Sequence, residues 1–335
     1  MSPARTRVGV MGAGALGYHH VRILRELEDV ELVGFHESRP ERAAEVAAEL
    51  GVRAWDDPAA LIEACEALTI VVPTPAHFGV ARAAVSRGRH VLIEKPLTAT
   101  LAEADEILAI AKAHGALVQT GHVERFNRAI RAAMPYVDRP RFLESDRLAP
   151  FNPRGSDVAV VLDLMIHDID LLLTLVKSGA QDVQAVGIPV LTPFVDIANA
   201  RITFQSGAVA NVTASRVSRE RMRKLRIFQQ SGYLSLDLGA GNGEFYRIRG
   251  DVDLAALTKA PQQLEAFVER IPLEAPDGEP LRLEFRSFID AVRGVAPVTV
   301  TGDDGREALA VALRIVQEIE RTRPALAAGP ERPRA

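Results

Sequence analysis

The chain has one cysteine, no long apolar run and almost no excess of either charge. Cys65 stands alone, which excludes an intrachain disulfide and a paired-cysteine zinc site. No stretch approaches the roughly 18 consecutive apolar residues that a membrane-spanning helix needs. Lys and Arg number 40 against 44 Asp and Glu, a net charge of -4 with a pI near 6.1. That balance exerts no pull on a polyanion and argues against nucleic-acid binding as the main task. An internal repeat is also lacking. What is present is ordinary for a folded chain: 47% hydrophobic and 25% charged residues over 335 positions. At about 150 residues per domain, that length predicts two domains. Residues 1–7 are basic but lead into a strand-like segment rather than an apolar signal region. The expectation is a cytoplasmic protein without membrane or nucleic-acid partners.

Strand and helix alternate through the first 120 residues. Residues 7–11 read as a β-branched strand, 16–28 as a helix, 31–35 as a strand and 40–50 as a helix with proline in its first turn. Residues 68–72 have the continuous apolar character of a buried parallel strand. A helix over 75–87, a strand over 90–93, a helix over 101–114 closed by Gly115, and a strand over 116–119 complete the pattern. This alternation predicts a parallel sheet covered on both faces. Helices near 123–136 and 162–177 follow, then five candidate strands at 182–189, 196–205, 208–216, 223–229 and 233–238. Gly207 and Gly232 fall where hairpin turns would lie, so this sheet reads as antiparallel. Helices over 282–293 and 306–321 finish the fold. The resulting division is an α/β protein with domains at 1–122 and 123–322, and a flexible Pro-, Ala- and Arg-rich tail at 323–335.

Gly12, Gly14 and Gly17 form G-A-G-A-L-G between the first strand and the first helix. The first glycine permits a tight turn, the second lets backbone approach a pyrophosphate, and the third allows close helix–strand packing. Ala15 and Leu16 open a helix whose unpaired N–H groups favour an anion. Glu37 lies 20 residues past Gly17, where a carboxylate accepts from the ribose hydroxyls and repels a 2′-phosphate. The first domain is therefore expected to be a Rossmann domain that prefers NAD to NADP, a preference softened by Ser38, Arg39 and Arg42.

Three later strand ends carry polar groups, where the ligand crevice of an open parallel sheet lies. Pro73, Thr74 and His77 follow the third strand, Glu94, Lys95 and Pro96 the fourth, and Gly121 to Asn127 the fifth. Lys95, held between an apolar strand and a proline, is placed to polarise a reacting group or serve as acid or base. Its bland alternative is a solvated loop lysine. On the helix near 162–177, about 100° per residue brings Asp163, His167, Asp170 and Thr174 within one arc, with Asp168 looking exposed. Asp163 can fix the tautomer of His167, whose other nitrogen would then face a hydroxyl. The same stripe is equally readable as a buried polar network. No second His cluster accompanies the H-D-I-D string, so no metal is expected. Finally, Arg216, Arg219, Arg221, Arg223, Lys224 and Arg226 form a basic run that is either a solvated edge or a cradle for an anionic substrate group.

G-A-G-A-L-G, E-K-P at 94–96 and D-x-x-x-H at 163–167 together make the chain resemble the Gfo/Idh/MocA oxidoreductases from residue 8 to about 321. The resemblance implies a Rossmann domain followed by an α/β domain with an open, mostly antiparallel sheet that joins homodimers or homotetramers. It also implies that Lys95, Asp163 and His167 are catalytic. Cofactor contacts would come from Gly12, Gly14, Ala15, Leu16, Gly17, Glu37, Ser38, Arg42, Pro73, Thr74, His77, Glu94 and Lys95. Substrate contacts would come from Lys95, Arg125, Asn127, Asp163, His167 and Arg216. G-H-V-E-R-F-N at 121–127 and the basic run look like members that oxidise the 3-hydroxyl of UDP-N-acetylglucosamine or its uronic acid. In such members the keto sugar is then aminated by a separate PLP enzyme, feeding lipid A or surface polysaccharide. Inositol or free-aldose dehydrogenase activity, a permanently bound cofactor, and a non-catalytic NAD sensor or scaffold are the other readings.

Overall fold

A computed structural model describes residues 5–152, 155, 158–249 and 267–322. The expected tail at 323–335 lies outside the described residues. The chain divides into two compact units, Met1–Arg131 with Ala275–Ala310 and Ala132–Glu274 with Val311–Ala335.

The first unit carries β1 (Thr6–Met11), α1 (Ala15–Arg25), β2 (Val30–His36), α2 (Pro40–Leu50), α3 (Pro58–Ala64), β3 (Ala67–Ile70), α4 (Thr74–Val85), β4 (His90–Glu94), α5 (Leu101–His114) and β5 (Val118–Gly121). All five strands are parallel, in the order β2-β1-β3-β4-β5. Their side chains are apolar on both faces because helices cover both. Val8, Val10, Val21 and Leu24 build one layer and Leu68, Ile70, Ile93 and Ile107 the other, all fully buried. Helix ends follow local chemistry. Thr100 and Glu103 form a reciprocal capping box on α5, and Gly115 ends that helix at φ 68°. Asp57 caps α3 by accepting from the Ala59 N–H at 2.8 Å. Cys65, which follows α3, is fully buried, and burial pushes its thiol up to about 12, so it is unreactive.

Helix α6 (Arg128–Ala133) ends the continuous part of this unit. Helix α8 (Pro280–Val292) joins the unit from far along the sequence: Phe285, Phe288 and Ile289, all fully buried, pack in the layer of Val8 and Val21. The sequence reading placed α8 in the second domain. Its apolar spacing marks a buried face but carries no information on which sheet receives it.

The second unit contains β6 (Phe142–Leu148), α7 (Ile166–Val176), β7 (Ala180–Ile188), β8 (Ile197–Phe204), β9 (Val209–Ser215), β10 (Met222–Gln229), β11 (Gly232–Asp237), β12 (Asn242–Ile248) and β13 (Val268–Pro272). The strand order is β13-β12-β11-β10-β6-β9-β8-β7. Every neighbouring pair is antiparallel except β6 with β9. One face is small and apolar, with Ala198, Ala200, Ala210, Val212 and Ala214 buried. On the other face Phe142, Phe228, Tyr233 and Tyr246 stack across four strands with ring centroids 5.6, 4.7 and 5.7 Å apart. Beside them run cross-strand polar pairs such as Arg226–Glu144 at 2.7 Å and Asn199–Thr213 at 3.0 Å. Helix α9 (Gly302–Thr322) is amphipathic and straddles the division between the two units.

Candidate active site

The glycine-rich turn after β1 has the geometry that its spacing predicts. Gly12 sits at φ +98°, and a Cβ there would lie 2.8 Å from the Val71 carbonyl oxygen. A Cβ on Gly17 would overlap the Gly12 carbonyl, so α1 packs directly on the turn. At Gly14 a Cβ would meet only the Arg39 guanidinium, at 3.7 Å, leaving that side of the turn open. Gly14 is also the N-cap of α1, a helix with no side-chain cap and no acidic residue in its first turn. Ala15 and Leu16 thus begin an uncapped N-terminus suited to a pyrophosphate.

Glu37, just past β2, accepts from the Ala13 N–H at 3.0 Å, the Arg39 N–H at 3.1 Å and the Arg39 Nε at 2.9 Å. Burial pushes its carboxyl up, but these hydrogen bonds and the Arg39 charge outweigh it and bring the group to about 2. Glu37 is therefore anionic and fixed beside the turn, which fits NAD and opposes a 2′-phosphate. Ser38 sits on the rim, its hydroxyl 3.5 Å from Glu37. Arg42 turns inward, donating from Nε to the Ala13 carbonyl at 3.0 Å and pairing with Glu45 at 2.9 Å, so it braces the turn. Glu37→Ser is expected to weaken NAD use about tenfold, on the order of 1.4 kcal/mol, and to narrow the NAD-over-NADP ratio of kcat/KM. Steady-state kinetics with both nucleotides measures this; an unchanged ratio would remove Glu37 from the ribose site.

At the end of β4, Glu94 is buried, with Oε1 3.3 Å from His20 Nε2 on α1. Its carboxyl also abuts Gly121, where a Cβ would come within 3.0 Å. Burial pushes Glu94 up, but the neighbouring His20 imidazole and the Lys95 charge hold it below the usual carboxylate range. The Lys95 N–H donates to Glu94 Oε2 at 3.3 Å. Lys95 itself is half-exposed while Glu94, Pro96, Leu97 and Thr98 around it are buried. His77 is 1% exposed, its Nδ1 3.0 Å from the Pro96 carbonyl and its Nε2 2.9 Å from the Val72 carbonyl. Burial lowers its pKa. His77 thus laces the ends of β3 and β4 together beneath the surface. Pro73 and Thr74 open α4 on the same rim. Strand ends do not point to His20, whose only sequence signal is its helical spacing on the buried α1 face with Gly17, Val21 and Leu24.

Arg125 and Asn127 were expected to touch substrate. The Asn127 Oδ1 accepts from the Ala129 N–H at 3.0 Å, and its Nδ2 donates to Glu124 Oε2 at 3.0 Å. It caps a helix start and is 8% exposed. Arg125 lies 3.4 Å from both the Thr299 carbonyl and Asp304 Oδ2, tying the turn after β5 to the start of α9 within the first unit.

In the second unit a π-turn, Val161–Met165, precedes α7. It carries Asp163, and His167 stands in the first turn of α7; both are half-exposed. Asp170 is fully buried, and Thr174 Oγ1 donates back to the Asp170 carbonyl at 2.8 Å. Asp168 corrects the sequence reading. Far from exposed, it is 1% exposed and accepts from Arg147 Nε at 2.6 Å and Ser145 Oγ at 2.8 Å. The π-turn breaks the uniform 100° step on which the expected arc depended. Arg216 is also buried, at 3% exposure, and its guanidinium donates to Asp196 and to the Gly155 and Val158 carbonyls at 2.6–2.8 Å. Its donors serve the protein's own backbone, not an open cradle. Among the described residues no cluster of His, Cys, Asp and Glu could hold a metal ion.

Residues 6–122 match the Gfo/Idh/MocA oxidoreductase family, NAD-binding Rossmann fold, and residues 128–235 match the GFO/IDH/MocA C-terminal domain. The chain belongs to the Gfo/Idh/MocA oxidoreductases. The resemblance drawn from the three motifs is thereby established. Among relatives, the UDP-N-acetylglucosamine 3-dehydrogenase of Acidithiobacillus ferrooxidans is 38% identical over 94% of this chain and 97% of its own length. Its solved structure superposes with a TM-score of 0.85 over 95% of this chain and 99% of that one, at 37% identity. The myo-inositol 2-dehydrogenase of Thermotoga maritima is 26% identical over 95% of this chain and 97% of its length. The family's NAD-binding Rossmann fold agrees with the glycine turn. No helix among the described residues is long and apolar enough to cross a membrane.

Proposed function

We propose that this chain oxidises the 3-hydroxyl of a UDP-N-acetylhexosamine, UDP-N-acetylglucosamine first, to the 3-keto sugar with NAD. The observation that carries the reading is end-to-end similarity to the 3-dehydrogenase, 38% identical over 94% of the chain. Bound NAD supplies the hydride acceptor. The chain's own residues do the rest. The Gly12–Gly17 turn and the α1 N-terminus hold the pyrophosphate, Glu37 holds the ribose hydroxyls, and Pro73, Thr74 and the Glu94–Lys95 loop border the site. His167, its imidazole oriented by the Asp163 carboxylate, takes the proton from the substrate hydroxyl oxygen. Lys95 Nζ, at the end of β4, donates a hydrogen bond that stabilises negative charge developing on a substrate oxygen. The Glu94 carboxylate and His77 keep the Lys95 backbone in place.

Arg216 is engaged inside the protein, so diphosphate recognition falls to exposed Arg219 and Arg221 in this reading. Arg219→Ala with Arg221→Ala is expected to raise KM for the nucleotide sugar about tenfold with kcat little changed. Insensitivity of KM would instead favour an inositol or free aldose, the substrates named for other relatives. The same reading includes cytoplasmic residence, a homodimer or homotetramer formed through the aromatic, polar sheet face of the second unit, and supply of a keto sugar for amination toward lipid A or surface polysaccharide. The deciding experiment is a panel of nucleotide sugars, inositols and aldoses with NAD, followed by NADH absorbance and product mass spectrometry. A 3-keto nucleotide sugar is the expected product. Turnover of inositols alone would replace this reading, and absence of turnover on every panel member would favour a sensor or scaffold.

A further inference from the structure

The segment bearing Asp163 and His167 is tied down at both ends by a buried arginine. On one side Arg216 donates from Nε to Asp196 Oδ1 at 2.8 Å, from Nη1 to the Gly155 carbonyl at 2.6 Å and from Nη2 to the Val158 carbonyl at 2.7 Å. Asp196 is itself fixed, accepting at Oδ2 from the N–H groups of Val190, Leu191 and Thr192 at 2.8, 2.6 and 2.9 Å. Gly155, at φ +76°, lies against the Asp163 carboxylate: a Cβ there would stand 2.6 Å from Oδ2. On the other side Arg147 Nε donates to Asp168 Oδ2 at 2.6 Å and Nη2 to Oδ1 at 3.2 Å, while Ser145 Oγ donates to Oδ1 at 2.8 Å. Asp168 directly follows His167.

Between the two clasps runs the π-turn Val161–Met165, an uncommon geometry that recurs at functional sites. A turn that departs from the α-helical ladder leaves the direction of its side chains to whatever holds its ends. Both holders here are planar forks with two or more fixed bonds, a geometry that a lysine cannot reproduce. Gly155 adds a direct link, since the backbone that Arg216 grips is the surface on which the Asp163 carboxylate rests.

We propose that Arg216, through Gly155, and Arg147, through Asp168, are positioning residues that set the Asp163 carboxylate and the His167 imidazole in the geometry for proton transfer. The inference rests on the role given to Asp163 and His167 above. It also gives the buried start of the basic run a task other than holding substrate.

The test uses full-length Arg216→Lys and Arg147→Lys, assayed with UDP-N-acetylglucosamine and NAD. Each is expected to lower kcat by about 10–10², the scale of a misplacement near 1 Å, with KM for NAD within about twofold. The limb of the pH–kcat profile that reports the proton acceptor should shift. In an Asp163→Asn background the same changes should cost nothing further, because residues acting as one unit are not additive. Lysine variants that lose thermal stability but keep kcat, or that multiply with Asp163→Asn, would overturn the proposal. If they do not fold, Gly155→Ala keeps both clasps and crowds the Asp163 carboxylate, and it should lower kcat similarly; a parental kcat there would also overturn it. Asp163→Asn and His167→Asn with parental turnover would instead refute the underlying site assignment.

Discussion

Lys95→Ala is expected to lower kcat by about 10²–10⁴ while leaving NAD affinity near parental. The side chain is half-exposed and outside both apolar layers, so its removal opens no core cavity. The loop around it is held by other groups: Glu94 on the Lys95 N–H and His77 on the Pro96 carbonyl. What alanine removes is the ammonium donor to the substrate oxygen. NAD titration followed by protein fluorescence separates binding from turnover. Normal turnover by the alanine variant would show that Lys95 is only a loop residue.

The second large effect concerns stability. Asp196→Ala is expected to destabilise the protein by about 3–5 kcal/mol, because it leaves the buried Arg216 charge without its carboxylate and frees three backbone donors. Burial pushes the Asp196 carboxyl up, but those N–H groups and Arg216 hold it well below the ordinary aspartate range. A depressed carboxyl contributes stability that is present above the unfolded value near 3.9 and lost as pH falls through the folded value. The gap between parent and variant should therefore be full at neutral pH and should narrow below about pH 4. Urea unfolding at pH 7 and pH 3 measures it. An equal gap at both pH values would assign the loss to packing and not to the charge.

These two sites differ in how far they could be read in advance. Lys95 was visible because a lysine between an apolar strand and a proline has few places to point. Helices α2 and α5 were legible to the residue, since Pro40, Gly51, Thr100 and Gly115 mark their ends with local chemistry. Strand β6 was not, because its inward positions include Ser145 and Arg147, and a strand that buries polar groups shows no apolar alternation. The same two residues hide the partner of Asp168. Arg216 and Asp196 are 20 residues apart in sequence, and nothing local tells a buried clasp from an exposed basic run. Helix α8 showed its apolar face but not its destination. Local signals thus located the elements and the chemical groups. Long-range ion pairs decided which charged residues brace the frame.

In the proposed reaction hydride leaves carbon 3 of a UDP-linked N-acetylhexosamine, assisted by Lys95 and His167. Turnover of UDP-N-acetylglucosamine carrying deuterium at carbon 3 tests it most directly, with the isotope followed by mass spectrometry. Deuterium is expected to leave the sugar, to be recovered in the reduced nicotinamide and to slow the reaction. Deuterium retained in the sugar while NADH forms would contradict it.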